Sequence, residues 1–107
     1  FMALVDTINK RAAGELEIKY LGGPEAMPGF KQFEALRNGV VDMIFGCEYY
    51  YGREVTGAPY THLTRLDPMK EREVGYYDLR VDLLKEHNVR YLGRAEFGVW
   101  FHVFTTS

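Results

Sequence analysis

Hydrophobic positions along the chain switch repeatedly between helical and strand-like spacing. Phe1, Leu4, Val5, Ile8 and Ala12 share one face of a helix that ends near Ala13 and Gly14. Leu16, Ile18 and Tyr20 then alternate with Glu17 and Lys19, the pattern of a half-buried strand. Gly22-Gly23-Pro24 and Met27-Pro28-Gly29 break the chain. Phe30, Phe33, Leu36 and Val40 return to helical spacing, and Asn38-Gly39 supplies a left-handed helix ending. Positions 40–45 are apolar except for Asp42, as in a strand covered on both faces. Positions 49–66, rich in Tyr, Gly and Thr, read as a loop or a short helix. Asp67-Pro68 opens the longest helix, an N-cap followed by proline at the first helical position. Tyr76, Leu79 and Leu83 form one apolar row on it, and Tyr77, Val81 and Leu84 a second. Gly75 inside that helix costs about 1 kcal/mol relative to alanine. Positions 89–92 and 98–102 read as further strands.

Strands alternating with helices predict an α/β fold, a mostly parallel sheet flanked by helices with right-handed crossovers. Its strand ends would converge on one edge, where ligands bind in open α/β sheets. A chain of 107 residues makes one domain or part of one. Both ends read as cut. No capping residue precedes the helical pattern at Phe1, and the chain stops in the strand-like run Val103-Phe104-Thr105. Residues 1–107 are therefore expected to be a single partial domain. The net charge of −2, without a block of like charges, argues against nucleic acid or an anionic membrane as partner. Cys47 is the only cysteine, which excludes an internal disulfide. Sheet edges left open would favour self-association.

The converging strand ends carry Gly22-Gly23, Gly46-Cys47-Glu48-Tyr49 and Gly93-Arg94, with Trp100 and His102 on the next strand. Glycines for close approach, aromatic walls and a few polar groups compose a small-molecule site. Glu48, Tyr49 and Tyr50 are the foremost candidates, since tyrosine hydroxyls donate to carboxylate oxygens while the rings exclude water. Tyrosines also pack in cores, and Glu48 could equally cap a turn or pair with Arg53. Arg94 and Arg65 could grip an anion through a bidentate fork, although an exposed or ion-paired arginine is the commoner state. A single strand tryptophan is more often core than pocket, and a structural role is the commoner one for His62.

Catalytic arrangements fail on context. A Cys47, His62 and Asp67 triad lacks the flanking glycines of a nucleophile elbow, because Phe45 and Tyr49 occupy those positions. His62, His87 and His102 show no metal-ligand spacing. Gly22-Gly23-Pro24 lacks the lysine of a phosphate loop. No enzyme, metal or cofactor is expected; the alternative is a small α/β enzyme or cofactor-binding domain using the same strand-end edge.

Glu34-Ala35-Leu36-Arg37-Asn38-Gly39-Val40-Val41-Asp42-Met43 resembles the helix–glycine–strand signature of the solute-binding proteins of TRAP transporters, the DctP family. Upstream, Gly14-Glu15-Leu16-Glu17-Ile18-Lys19-Tyr20-Leu21-Gly22-Gly23-Pro24 resembles that family's first helix-to-strand passage. Downstream, Asn88-Val89-Arg90-Tyr91-Leu92-Gly93 and Phe104-Thr105-Thr106-Ser107 resemble its later strands, so the match runs in order over most of the chain. The resemblance implies part of the first, type II periplasmic-binding-protein-like lobe of a two-lobed periplasmic protein. That protein would capture a small organic acid anion and deliver it to TRAP membrane subunits. It implies ligand contacts at Glu48, Tyr49 and Tyr50, an aromatic or basic residue near Trp100 and His102, and a main carboxylate-binding arginine beyond Ser107. Pro59-Tyr60-Thr61-His62 stands where many members carry a Leu-Pro-Phe-type run, which weighs against the common C4-dicarboxylate ligand.

Overall fold

The computed structural model describes residues 1–95. Within them lie α1 (Met2–Arg11), α2 (Gly29–Arg37), a first 3₁₀ turn (Glu48–Tyr51), a second 3₁₀ turn (Ala58–Leu63), α3 (Pro68–Glu73) and α4 (Tyr76–Lys85).

The helix ends are set by local chemistry. After α2, the Val40 N–H donates to the Ala35 carbonyl at 2.9 Å and the Gly39 N–H to Leu36 at 3.1 Å. That crossed pair is a Schellman ending, and it needs the left-handed backbone that Gly39 adopts at φ +71°. The same pattern closes α4, where Val89 donates to Leu84 at 3.1 Å and Asn88 to Lys85 at 3.0 Å, with Asn88 left-handed at φ +59°. Asp67 caps α3 as the sequence predicts: its Oδ1 accepts from the backbone N–H groups of Met69 and Lys70, both at 2.9 Å. The single long helix expected from Asp67 onward is instead two helices separated by Val74 and Gly75. Gly75 is left-handed at φ +80°, so it breaks the helix rather than sitting inside it.

Phe33, Tyr51, Val55, Ala58, Leu84 and Tyr91 form the core, with Ile44, Tyr77, Val81 and Val89 packed against them. Phe33 is 2% exposed, and its ring stacks on Tyr51 at 4.5 Å with 17° between the planes. Such a pair contributes about 0.5–1.5 kcal/mol beyond area burial. Of the two apolar rows on α4, the Tyr77, Val81 and Leu84 row faces this core, while Leu79 of the other row is exposed.

The described residues do not adopt the expected α/β architecture or the mostly parallel sheet of a type II lobe. The described residues contain no strand. The predicted strands at 16–20, 40–45 and 89–92 are present as unpaired segments; the one at 98–102 lies outside the described residues. The physical reason is that period-two alternation fixes which face a side chain takes, not whether a second strand lies alongside. Side chains supply what a ladder would. Asn9 bonds both backbone groups of Ile18, and Ile44 and Tyr91 anchor the other two segments in the core.

The outcome leaves much apolar surface in water. Leu16, Leu21, Phe30, Val40, Leu63 and Leu92 are each more than half exposed. α1 shows it most clearly. It buries only Val5, its predicted inward residues Phe1 and Leu4 are exposed, and it touches no other helix among the described residues. Phe1 instead stacks on Phe45 at 4.6 Å and meets Tyr20 edge-on at 5.9 Å.

Truncating Phe33 to alanine should cost about 3–5 kcal/mol, a large fraction of the stability of a small domain. Leu63→Ala, at a side chain 76% exposed, should stay within about 0.5 kcal/mol of the parent. Urea denaturation followed by circular dichroism checks both, and comparable losses at the two positions would refute this placement of the core.

Candidate functional site

The first 3₁₀ turn gathers the foremost candidates. It has three residues per turn, so neighbouring side chains leave it in directions about 120° apart. Tyr51 points into the core against Phe33. Tyr50 lies half out, its ring edge-on to Phe30 at 5.0 Å. Tyr49 is 64% exposed.

Glu48 turns toward α4. Its Oε1 accepts from Arg80 Nη2 at 2.8 Å, with the two side chains only 13% and 6% exposed. This partner differs from both sequence alternatives, a turn cap or Arg53. The Arg80 guanidinium also lies over the Tyr91 ring, 4.5 Å from its centroid. Burial opposes the charge on Arg80, but the hydrogen bond and negative charge of Glu48 outweigh it and hold the group above its ordinary value. Burial first, then the charge of Glu48, pushes the Tyr51 phenol far up. Burial likewise raises Tyr91, partly countered by Arg80.

A second ion pair lies nearby. Arg94 Nη2 stands 2.8 Å from Glu71 Oε1, with side chains 20% and 4% exposed. The same Nη2 donates to the Leu66 carbonyl. The contact with Glu71 is therefore one of charge: Glu71 Oε1 and Arg94 Nε make no hydrogen bond to a described residue. Burial raises the Glu71 carboxyl, and the positive charges of Arg94 and then Arg80 pull it back only in part. Glu48 repels it, which links the two pairs into one electrostatic unit. The Tyr77 hydroxyl donates to the Tyr91 carbonyl at 3.2 Å, and Arg72 covers the Tyr77 ring at 3.8 Å.

The structure thus brings Glu48 and Arg94 into one buried charge cluster and leaves Tyr49 and Tyr50 on its outer side. Trp100 and His102 lie outside the described residues. Sequence reasoning missed Arg80 and Glu71, the two partners that occupy the candidate charges. A signal for Arg80 was present: it lies three residues after Tyr77 and four before Leu84, on the buried side of α4. Glu71 carries no such mark, because it belongs to a charged stretch that reads as a solvated first turn.

Two shallow grooves, one lined by Met27, Lys31, Glu34, Ala35, Asn38 and Val40 and the other by Asp6, Asn9, Lys10 and Ala13, include none of these candidates. Among the described residues no group of three His, Cys, Asp or Glu side chains could hold a metal ion. No described helix is long and apolar enough to cross a membrane. With its charges already paired, the cluster can order a surface and present aromatic groups.

Arg80→Met leaves the Glu48 carboxylate buried without its partner and should cost about 3–5 kcal/mol. Glu48→Leu combined with Arg80→Met should cost less than the sum of the single changes, measured as a double-mutant cycle in urea. Additive losses would refute direct coupling.

The neutral form of Glu71 is the one the fold favours, since its carboxyl is raised above the ordinary 4.5. Its contribution is fully present below the unfolded value and is lost as pH rises through the raised folded value. Unfolding free energies from acid to neutral pH should show the parent losing stability relative to Glu71→Gln across that window. Parallel curves would refute the shift.

No family model matches the chain, and no solved structure matches it.

Proposed function

We propose that the chain belongs to the solute-capturing subunit of a TRAP-type transporter, working outside the cytoplasmic membrane on a small organic acid anion. The carrying observation is the ordered run of family-like segments, Gly14 to Pro24, Glu34 to Met43, Asn88 to Gly93 and Phe104 to Ser107. The geometry around Glu48 supports a restricted role for this part of the protein. Glu48 is engaged by Arg80, and Arg94 by Glu71 and Leu66. Neither is then a ready partner for a ligand charge. Tyr49 and Tyr50 are exposed just after segment 40–45, at the positions where the resemblance expects ligand contacts. They would supply an aromatic wall and hydroxyl donors. The countercharge would come from the arginine expected beyond Ser107.

Function on this reading is capture, with no bond made or broken. A solute stabilises the bound conformation only by its difference in affinity between conformations. Membrane subunits would then recognise the loaded form.

The test uses the complete protein that carries this sequence. Its melting temperature is followed against mono- and dicarboxylates, keto acids and sugar acids. A solute at 100 times its dissociation constant should add about 2.7 kcal/mol of stability. Tyr49→Ala and Tyr50→Ala should weaken the response to that solute. A folded protein that responds to no acid would overturn the proposal.

A further inference from the structure

The segment after α1 has one edge occupied and one edge open. Asn9 Nδ2 donates to the Ile18 carbonyl at 2.9 Å, and the Ile18 N–H donates to Asn9 Oδ1 at 2.7 Å. One amide reaches both backbone groups of a residue only when they point the same way, as they do in an extended residue. By the alternation of extended chain, the backbone groups of Glu17 and Lys19 then point to the opposite side. Neither residue makes a backbone hydrogen bond to any described residue. Their side chains are 70% and 75% exposed and form only a long ion pair with each other at 3.7 Å, which cross-strand partners would replace.

We propose that this open edge is a homodimer interface, pairing antiparallel with the same edge of a second copy about a two-fold axis at Ile18. Charge selects the occupant and the alignment. With Ile18 opposite Ile18, Glu17 of each copy stands opposite Lys19 of the other, giving two cross-strand ion pairs. Centring on Glu17 would set Glu17 against Glu17, and centring on Lys19 would set Lys19 against Lys19. Hydrogen bonding requires the same alignment. In an antiparallel pair, hydrogen-bonded and non-bonded residue pairs alternate. The Ile18 groups are held by Asn9, so Ile18 must sit at a non-bonded pair. The free groups of Glu17 and Lys19 then form the bonded pairs on either side.

The apolar face agrees. Leu16 comes opposite Tyr20 of the second copy, and both are exposed in the single chain. Tyr20 already belongs to the aromatic group with Phe1 and Phe45, which the pairing would extend. Assembly stops at two copies, because a two-fold contact is self-complementary and Asn9 covers the other edge at Ile18. This inference is independent of the solute-binding reading.

Sedimentation equilibrium of the 107-residue chain over a concentration series tests it, with light scattering as a second measure of mass. The parent should dimerise. Glu17→Lys and Lys19→Glu each set like charges opposite one another, and each should raise the dimer dissociation constant roughly tenfold. Combining the two changes exchanges the charges and should restore the parent value. Both positions are exposed, so circular dichroism should be unchanged throughout. A monomer at every concentration, a dimer indifferent to the single reversals, or growth beyond two copies would each overturn the proposal.

Discussion

A guanidinium inside a small protein must be matched or it is costly, and the arrangement of this chain follows from how Arg80 is matched. Glu48 neutralises it and Tyr91 covers it. These three residues come from the first 3₁₀ turn, from α4 and from the segment that follows α4. The ion pair therefore joins positions 32 residues apart, over a core in which Phe33, Tyr51 and Leu84 meet. A buried pair is weak evidence of net stabilisation, since removing both charges from water offsets most of their attraction. Its value lies in specificity. An apolar surface accepts several alignments of a turn against a helix, whereas a buried arginine accepts only one that delivers its carboxylate.

The local chemistry of helix ends was legible in the sequence. Asp67-Pro68 gave a start and Asn38-Gly39 a stop, and both act as their side chains and backbone freedom require. Gly75 is visible in the sequence, but its conformation is not. A glycine inside an apolar pattern can be tolerated at a cost or can adopt a left-handed angle, and only the positions of α3 and α4 distinguish these. The region of positions 49–66, readable as loop or short helix, holds the second 3₁₀ turn and most of the first. The larger departure from the sequence pattern is the missing sheet among the described residues. Alternation at Leu16, Ile18 and Tyr20 correctly indicates a segment with two unlike faces, but a ladder is a pairwise property. In place of a neighbouring strand, Ile18 found Asn9, whose amide offers the same donor and acceptor.

The candidate site was legible in part for the same reason. Residue type leaves Glu48 and Arg94 open as ligand contacts or as ion-paired groups, and in the fold both are engaged in ion pairs. The identity of the partners depended on which face of α3 and α4 turns inward, which is a tertiary fact. Arg80 is buried where its side chain reaches Glu48 and lies over Tyr91, and Glu71 where it meets Arg94. Which of Tyr49, Tyr50 and Tyr51 is buried does not follow from their propensities, since three identical neighbours present identical ones.

Those tyrosines show what the ion pair accomplishes in another sense. In a turn with a period of three, a slip of the chain by one residue exchanges each side chain for its neighbour. Here a slip that moves each residue one place onward would put Tyr49 and Tyr50 at the positions facing Phe30 and Phe33, so aromatic packing barely distinguishes that threading from the native one. Glu48 is the one residue of the turn whose displacement changes the chemistry. The contact with Arg80 thus serves as an index mark, telling three interchangeable rings which of them is to be core and which is to be surface.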